Sequence, residues 1–137
     1  MTRGEQGTIT AFVAGASVAL LAMAGLVADG GYMLAARRQA FDEAEAAARA
    51  GAQAINVDAL RDHSVVQLLP DQATQDALGY LQRTGHQGTV HVSGDTITVH
   101  VTFRRPMSML GLIGLGTQTI TGDGTAHGVR GVITGGD

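Results

Sequence analysis

Hydrophobic and polar positions change period three times along the chain. From Gln6 to Ala28 there is no Asp, Glu, Lys or Arg, and Asp29 closes the run. A bilayer core about 30 Å thick needs roughly 20 mostly apolar helical residues to cross it. A helix is also the only single segment that satisfies its own backbone polar groups in lipid. Ile9 to Ala28 therefore reads as a membrane-spanning helix, preceded by a polar leader over residues 1–8. From Tyr32 to Val57 a helical period resumes in Ala, Arg, Glu and Gln, all strong helix formers. Leu34, Phe41, Ala48 and Ile55 recur every seven residues with Ala44 and Gly51 between them, forming one apolar stripe. Unbroken from Ile9 to Val57, this rod would measure about 73 Å at 1.5 Å per residue.

Beyond Val57 the pattern shortens. Residues 58–70 read as irregular and end at Pro70. A short helix is expected over 71–83, N-capped by Asp71 and stopped by Gly85, with Ala73, Ala77, Leu78 and Leu81 on its apolar face. Then the period becomes two. Val90, Val92, Ile97, Val99, Val101 and Phe103 alternate with Thr, His and Ser around Gly94-Asp95, the place for a two-residue hairpin turn. That turn sets Val92 opposite Ile97 and Val90 opposite Val99, so the apolar residues share a face. Met107–Leu115 is apolar, too short to span a bilayer, and is expected as a buried loop. Thr117, Thr119, Thr121 and Thr125 alternate in a third strand, with a bulge expected at Gly122 or Gly124. The result is an α+β chain: a long N-terminal transmembrane and amphipathic helix (9–28, extended over 29–57), then a small antiparallel β-domain over 58–137.

Within the span, Ala11, Gly15 and Ala19 stand four apart, a spacing that lets helix backbones approach closely in lipid. Together with Leu34, Phe41, Ala44, Ala48 and Ile55 they form the candidate helix-packing set. Asp29 and Gly30 mark the membrane edge. With Gly31 they form a joint where the rod can bend, because each helical glycine costs roughly 1 kcal/mol relative to Ala. A signal peptide is the competing reading, since Ala22-Met23-Ala24 is an A-x-A match. That match lies inside the run rather than after it, and the run exceeds the usual apolar length of about 7 to 15 residues. Arg3 on one flank and Arg37 and Arg38 on the other leave the charge rule for orientation nearly silent. A short leader before a long body favours a cytoplasmic N-terminus.

Composition narrows the chemistry. A net charge of −3 argues against a nucleic-acid partner. The absence of Cys removes disulfides, thiolate metal sites and Cys nucleophiles. No serine stands in a G-x-S-x-G elbow, and no phosphate-binding glycine loop follows a strand. Asp42, Glu43 and Glu45 fit a solvated helix face, with Glu45 and Arg49 spaced as an i, i+4 pair. His91 and His100 share the polar face of the hairpin as diagonal neighbours, and His127 joins them if the third strand pairs alongside. A three-His metal site is conceivable there, but strand histidines among threonines are ordinarily solvated. His63 and His86 read as loop residues. No enzyme, cofactor or small-molecule substrate is indicated.

The segment GTITAFVAGASVALLAMAGLVADGGYMLAARRQAFDEAEAAARAGAQA resembles the N-terminal part of TadE/TadG-like proteins of the tight-adherence, Flp-type pilus system. The likeness rests on Gly7 before the span, Asp29-Gly30 closing it, Leu34-Ala35 and Arg38 beyond it, and the Ala-rich run from Ala44 to Ala52. The resemblance implies a pilin-like minor subunit or assembly component in a bacterial membrane. It would be single-pass, with its β-domain extracytoplasmic, serve cell adhesion, and partner the membrane and other pilus proteins through its N-terminal helix. It also makes Gly4 and Gly7 candidate processing positions. Processed subunits of this type usually carry Glu five residues into the mature chain, where this one has Ile9 or Phe12. The rival reading is a membrane-anchored extracytoplasmic sensor whose Thr/His face holds a ligand or metal.

Overall fold

The first helix, α1 (Arg3–Gly51), runs without interruption through Gly30 and Gly31 in a computed structural model of the chain, which describes residues 3–63, 65–107, 111, 114 and 116–129. The expected joint is helical. Two glycines carry a propensity cost, but long runs of Ala, Leu, Glu and Arg on either side make helix propagation through them favourable. α1 stops at Gly51, short of Val57. Residues 52–56 then turn away, and Ile55 bridges to Leu68 instead of extending the helix. Leu69 N–H donates to Ala54 O at 2.8 Å and Asn56 N–H to Gln67 O at 2.8 Å, which holds this return in place.

A second helix, α2 (Val57–His63), occupies part of the stretch expected to be irregular, and it includes His63. Asn56 caps it, its side-chain oxygen accepting from Ala59 N–H at 3.1 Å. The third helix, α3 (Pro70–Thr84), starts with Pro70 in its first turn. The residue before that proline, Leu69, is extended and takes the N-cap position expected for Asp71. Ala73, Ala77 and Leu81 are buried. The helix ends at Gly85, whose φ of +78° is the left-handed conformation that glycine adopts without steric cost. Gly85 N–H donates to Gln82 O and His86 N–H to Leu81 O, closing a Schellman cap.

The sheet has the order β1 (Gln87–Ser93), β2 (Thr96–Pro106), β3 (Thr117–His127). The β1–β2 register pairs Val92 with Ile97 and Val90 with Val99, as the alternation and the Gly94-Asp95 turn require. Ile97, Val99, Val101 and Phe103 are buried from β2, and Ile120 from β3. In β3 the inward positions alternate without a slip through Ile120, Gly122 and Gly124. The glycines therefore sit in register facing inward, with no bulge at either. Of the apolar stretch 107–115, most lies outside the described residues. Met107 N–H donates to Gly116 O at 3.0 Å across its ends.

The chain forms two compact units, Met1–Ala35 with Arg105–Gln118, and Ala36–Arg104 with Thr119–Asp137. In the second unit the helix side of the core is small. Ala40, Ala44, Ala47 and Ala48 are fully buried, and Gly51 is buried one turn further on. A Cβ on Gly122 would lie under 3.0 Å from the Ala40 and Phe41 backbone, and one on Gly124 equally close to Ala44 and Glu45. β3 thus lies on the backbone of α1, and only glycine fits between them. Substituting Gly124→Ala should cost about 2–3 kcal/mol by overpacking. Gly79→Ala in α3, where an added Cβ meets nothing within 4 Å, should instead add about 0.5–1 kcal/mol. Urea unfolding of the detergent-solubilised chain followed by circular dichroism checks both, and wild-type stability in the Gly124 variant would show that the seam is not tight.

Candidate functional site

The candidate site is the surface of α1. Between Ile9 and Val27 its large apolar side chains are solvent-exposed on all sides: Phe12 is 75% exposed, Leu21 74% and Val27 76%, with Ile9, Val13, Val18, Leu20, Met23 and Leu26 all above half. None of the apolar window is buried within the chain. A helix apolar all round belongs either in a protein core or in a membrane, and among the described residues no core covers these large side chains, although Gly25 between them is buried. Ala11, Gly15 and Ala19 are exposed on this segment, and nothing stands within 4 Å of a Cβ added at Gly15. Ser17 returns its hydroxyl to Val13 O at 2.8 Å, which satisfies it without water. Gly4 and Gly7 both lie inside the helix.

Asp29, at the end of the apolar run, is only 4% exposed, and it is engaged in a polar interaction. Burial that deep is tolerable for a carboxylate only with such a partner. Gly30, beside it, is exposed.

The seven-residue stripe divides in the structure. Ala44 and Ala48 are fully buried under the sheet, while Leu34 and Phe41 are at least half exposed and Ile55 lies beyond the end of α1. The buried line is Ala36, Ala40, Ala44, Ala47, Ala48 and Gly51. It follows the natural helical period of 3.6, from which a strict heptad drifts by about 20° per repeat.

A polar cluster that the sequence pattern did not single out lies on the same helix. The Schellman cap of α3 delivers His86 to α1, where its Nδ1 stands 2.5 Å from Glu43 Oε2 with both side chains mostly buried. Gln39 Nε2 donates to the other Glu43 oxygen at 2.7 Å. The imidazole stacks on Phe103 at 4.4 Å between centroids. Read as sequence, Glu43 looked like part of a solvated face and His86 like a loop residue. The signal that was present is Gly85, which fixes the direction in which His86 leaves α3. Glu45 and Arg49 do pair, at the surface, as their spacing implied.

On the open face of the sheet the three histidines occupy separate positions, and two of them have side-chain partners of their own. His91 stands across from Thr98, His100 Nδ1 meets Asp123, and His127 Nδ1 lies 2.9 Å from Thr96 Oγ1. Among the described residues no group of three potential ligands converges on one point.

These features define a class: an α+β protein with one N-terminal helix long and apolar enough to span a membrane, carrying a small antiparallel sheet. Over residues 7–54, about a third of the chain, the sequence matches the Tad family model, described as Flp pilus-assembly TadE/G-like. No curated protein and no solved structure matches the chain. The matched region takes in the apolar run and ends three residues beyond α1. The match supports a role in pilus assembly, and a single-pass membrane protein of a pilus system fits the helix it covers.

Replacing Glu43 with Ala would leave the mostly buried His86 without its acceptor, and should cost about 1–3 kcal/mol. Glu45→Ala, which breaks only the exposed pair with Arg49, should stay within about 0.5 kcal/mol. Paired urea-unfolding curves distinguish them, and equal effects would show that the Glu43 cluster is no more than a surface contact.

Proposed function

We propose that this chain is a non-enzymatic, membrane-anchored component of a Tad-type pilus, a minor pilin or assembly subunit that associates with its partners through α1. The observation that carries the reading is the exposed apolar surface between Ile9 and Val27, inside the segment matching the pilus-assembly family. Lipid covers such a surface in the resting membrane. In a filament, neighbouring helices would cover it. Ala11, Gly15 and Ala19 suit close helix approach, because packing rather than hydrophobicity drives helix association in lipid.

In this reading the β-domain lies outside the cytoplasm and Gly4 or Gly7 is the processing position. Absence of Glu at the fifth position after either glycine favours a subunit that assists assembly over one that is packed deep in the filament. Deleting the gene and imaging the cells tests the proposal. Loss or marked shortening of pili, restored by the wild-type chain, is the expected outcome, and normal piliation would overturn it. Edman or mass-spectrometric reading of the native N-terminus should show a start at Glu5 or Thr8 if a prepilin peptidase acts; an intact Met1 or Thr2 would mean a permanent anchor.

A further inference from the structure

Four of the described arginines of the β-domain, Arg37, Arg38, Arg83 and Arg104, stand on one side of it. Gly122 approaches Ala40 and Gly124 approaches Ala44, so low numbers on β3 match low numbers on α1. β2 runs the opposite way, with Thr98 at 3.4 Å from Thr125 and His100 beside Asp123, which carries Arg104 to the end where α1 enters the domain at Ala36. The contact of His86 with Glu43 brings the C-terminus of α3, and Arg83 with it, to that side as well. Arg37, Arg38, Arg83 and Arg104 are all exposed there, and none forms an ion pair among the described residues. Arg83 lies only over the ring of Tyr80, 5.9 Å from its centroid.

The acidic groups on this side are Asp42, which is exposed, Glu43, which His86 and Gln39 already hold, and Asp123, which pairs with His100. At the far end the balance reverses. Asp95 sits in the β1–β2 turn, whose neighbour Gly94 accepts from Leu68 N–H. Asp58 and Asp62 belong to α2 and Asp71 to the first turn of α3, and the described arginines nearest them in the fold are Arg61 of α2 and Arg49 in the last turn of α1.

We propose that Arg37, Arg38 and Arg104, with Arg83 behind them, form a collar that binds anionic phospholipid headgroups of the leaflet next to the β-domain. Guanidinium groups match phosphate oxygens in bidentate geometry. Arg37 follows Ala28 by nine residues, about 13 Å of helix. Side chains on a helix lean back toward its N-terminus, and arginine stems lie along an apolar boundary while the head stays among phosphates. Both effects return Arg37 and Arg38 toward the headgroup layer. An acidic protein would match the charge equally well, but only the bilayer is already present beside α1.

The collar rests on the membrane-anchor reading, and the test separates the two. The full chain is reconstituted into phosphatidylcholine vesicles, its flotation is measured, and association of spin-labelled phosphatidylglycerol is compared with that of labelled phosphatidylcholine. The expected preference for phosphatidylglycerol is about fivefold at low salt, declining as salt is raised. R38Q/R104Q should reduce it below about twofold, while the charge-matched R49Q/R61Q should keep it. A chain that floats without preference, or loses it equally in both variants, overturns the collar alone. A chain that fails to float overturns the anchor and the collar with it.

Discussion

The closest physical constraint in the β-domain is the approach of one strand to one helix backbone. Gly122 and Gly124 of β3 meet Ala40 and Ala44 of α1 where any side chain on the strand would collide with main-chain atoms. Side chains on the helix side are alanines, buried completely. Little apolar area is available per residue, and the larger contributions come from the other side of the sheet's inner face, from Ile97, Val99, Val101, Leu81 and Ile120. The domain therefore depends on closeness rather than bulk. Dispersion falls off steeply with separation, so the short distance allowed by paired Gly and Ala substitutes in part for absent aromatic volume.

That constraint explains which parts of the structure were legible in the sequence. The apolar run, the hairpin with its register and the stop of α3 at Gly85 each follow from local rules, namely an uncharged stretch, a period of two around Gly94-Asp95 and a left-handed cap. The position of β3 does not. Gly122 and Gly124 read as bulge formers because a glycine in a strand signals irregularity as readily as close contact. The α1 partner that distinguishes these meanings is some eighty residues away. The heptad through Leu34 and Phe41 divides for a related reason. It follows the large residues, whereas the sheet selects the small ones. Helix α2 escaped the reading because seven residues present too little periodicity.

The polar cluster of Glu43, His86 and Gln39 shows the same division between local and distant. Glu43 sits among Asp42 and Glu45, and by pattern all belong to one solvated face. Only the tertiary fold separates them, leaving Glu45 to an exposed pair with Arg49 while Glu43 accepts from groups on either side of it. The stack of His86 on Phe103 joins this polar contact to the apolar core. Through the cap at Gly85, α3, β1 and α1 are then fixed at a single residue. A mostly buried carboxylate with both oxygens occupied specifies one arrangement, because any other docking of α3 would leave it desolvated and unpaired.

These internal uses limit what α1 can offer to other molecules. Ala40, Ala44, Ala47 and Ala48 are consumed by the chain's own sheet, so the Ala-rich seam, suited by its small residues to another helix or to a sheet, is taken by the sheet. If α1 serves association as proposed, that is left to its exposed residues: the apolar surface from Ile9 to Val27, the stripe of Ala11, Gly15 and Ala19 within it, and Leu34 and Phe41 further along. The first of these lies in the part of the helix that lipid would solvate, where an apolar surface gains nothing from leaving lipid for protein. Association there must come from fit, and small residues provide fit without committing the helix to one permanent partner. A subunit that waits in a membrane and later packs against others needs that combination: a folded domain sealed by its own helix, and a second stretch of the same helix stable both in lipid and against another helix.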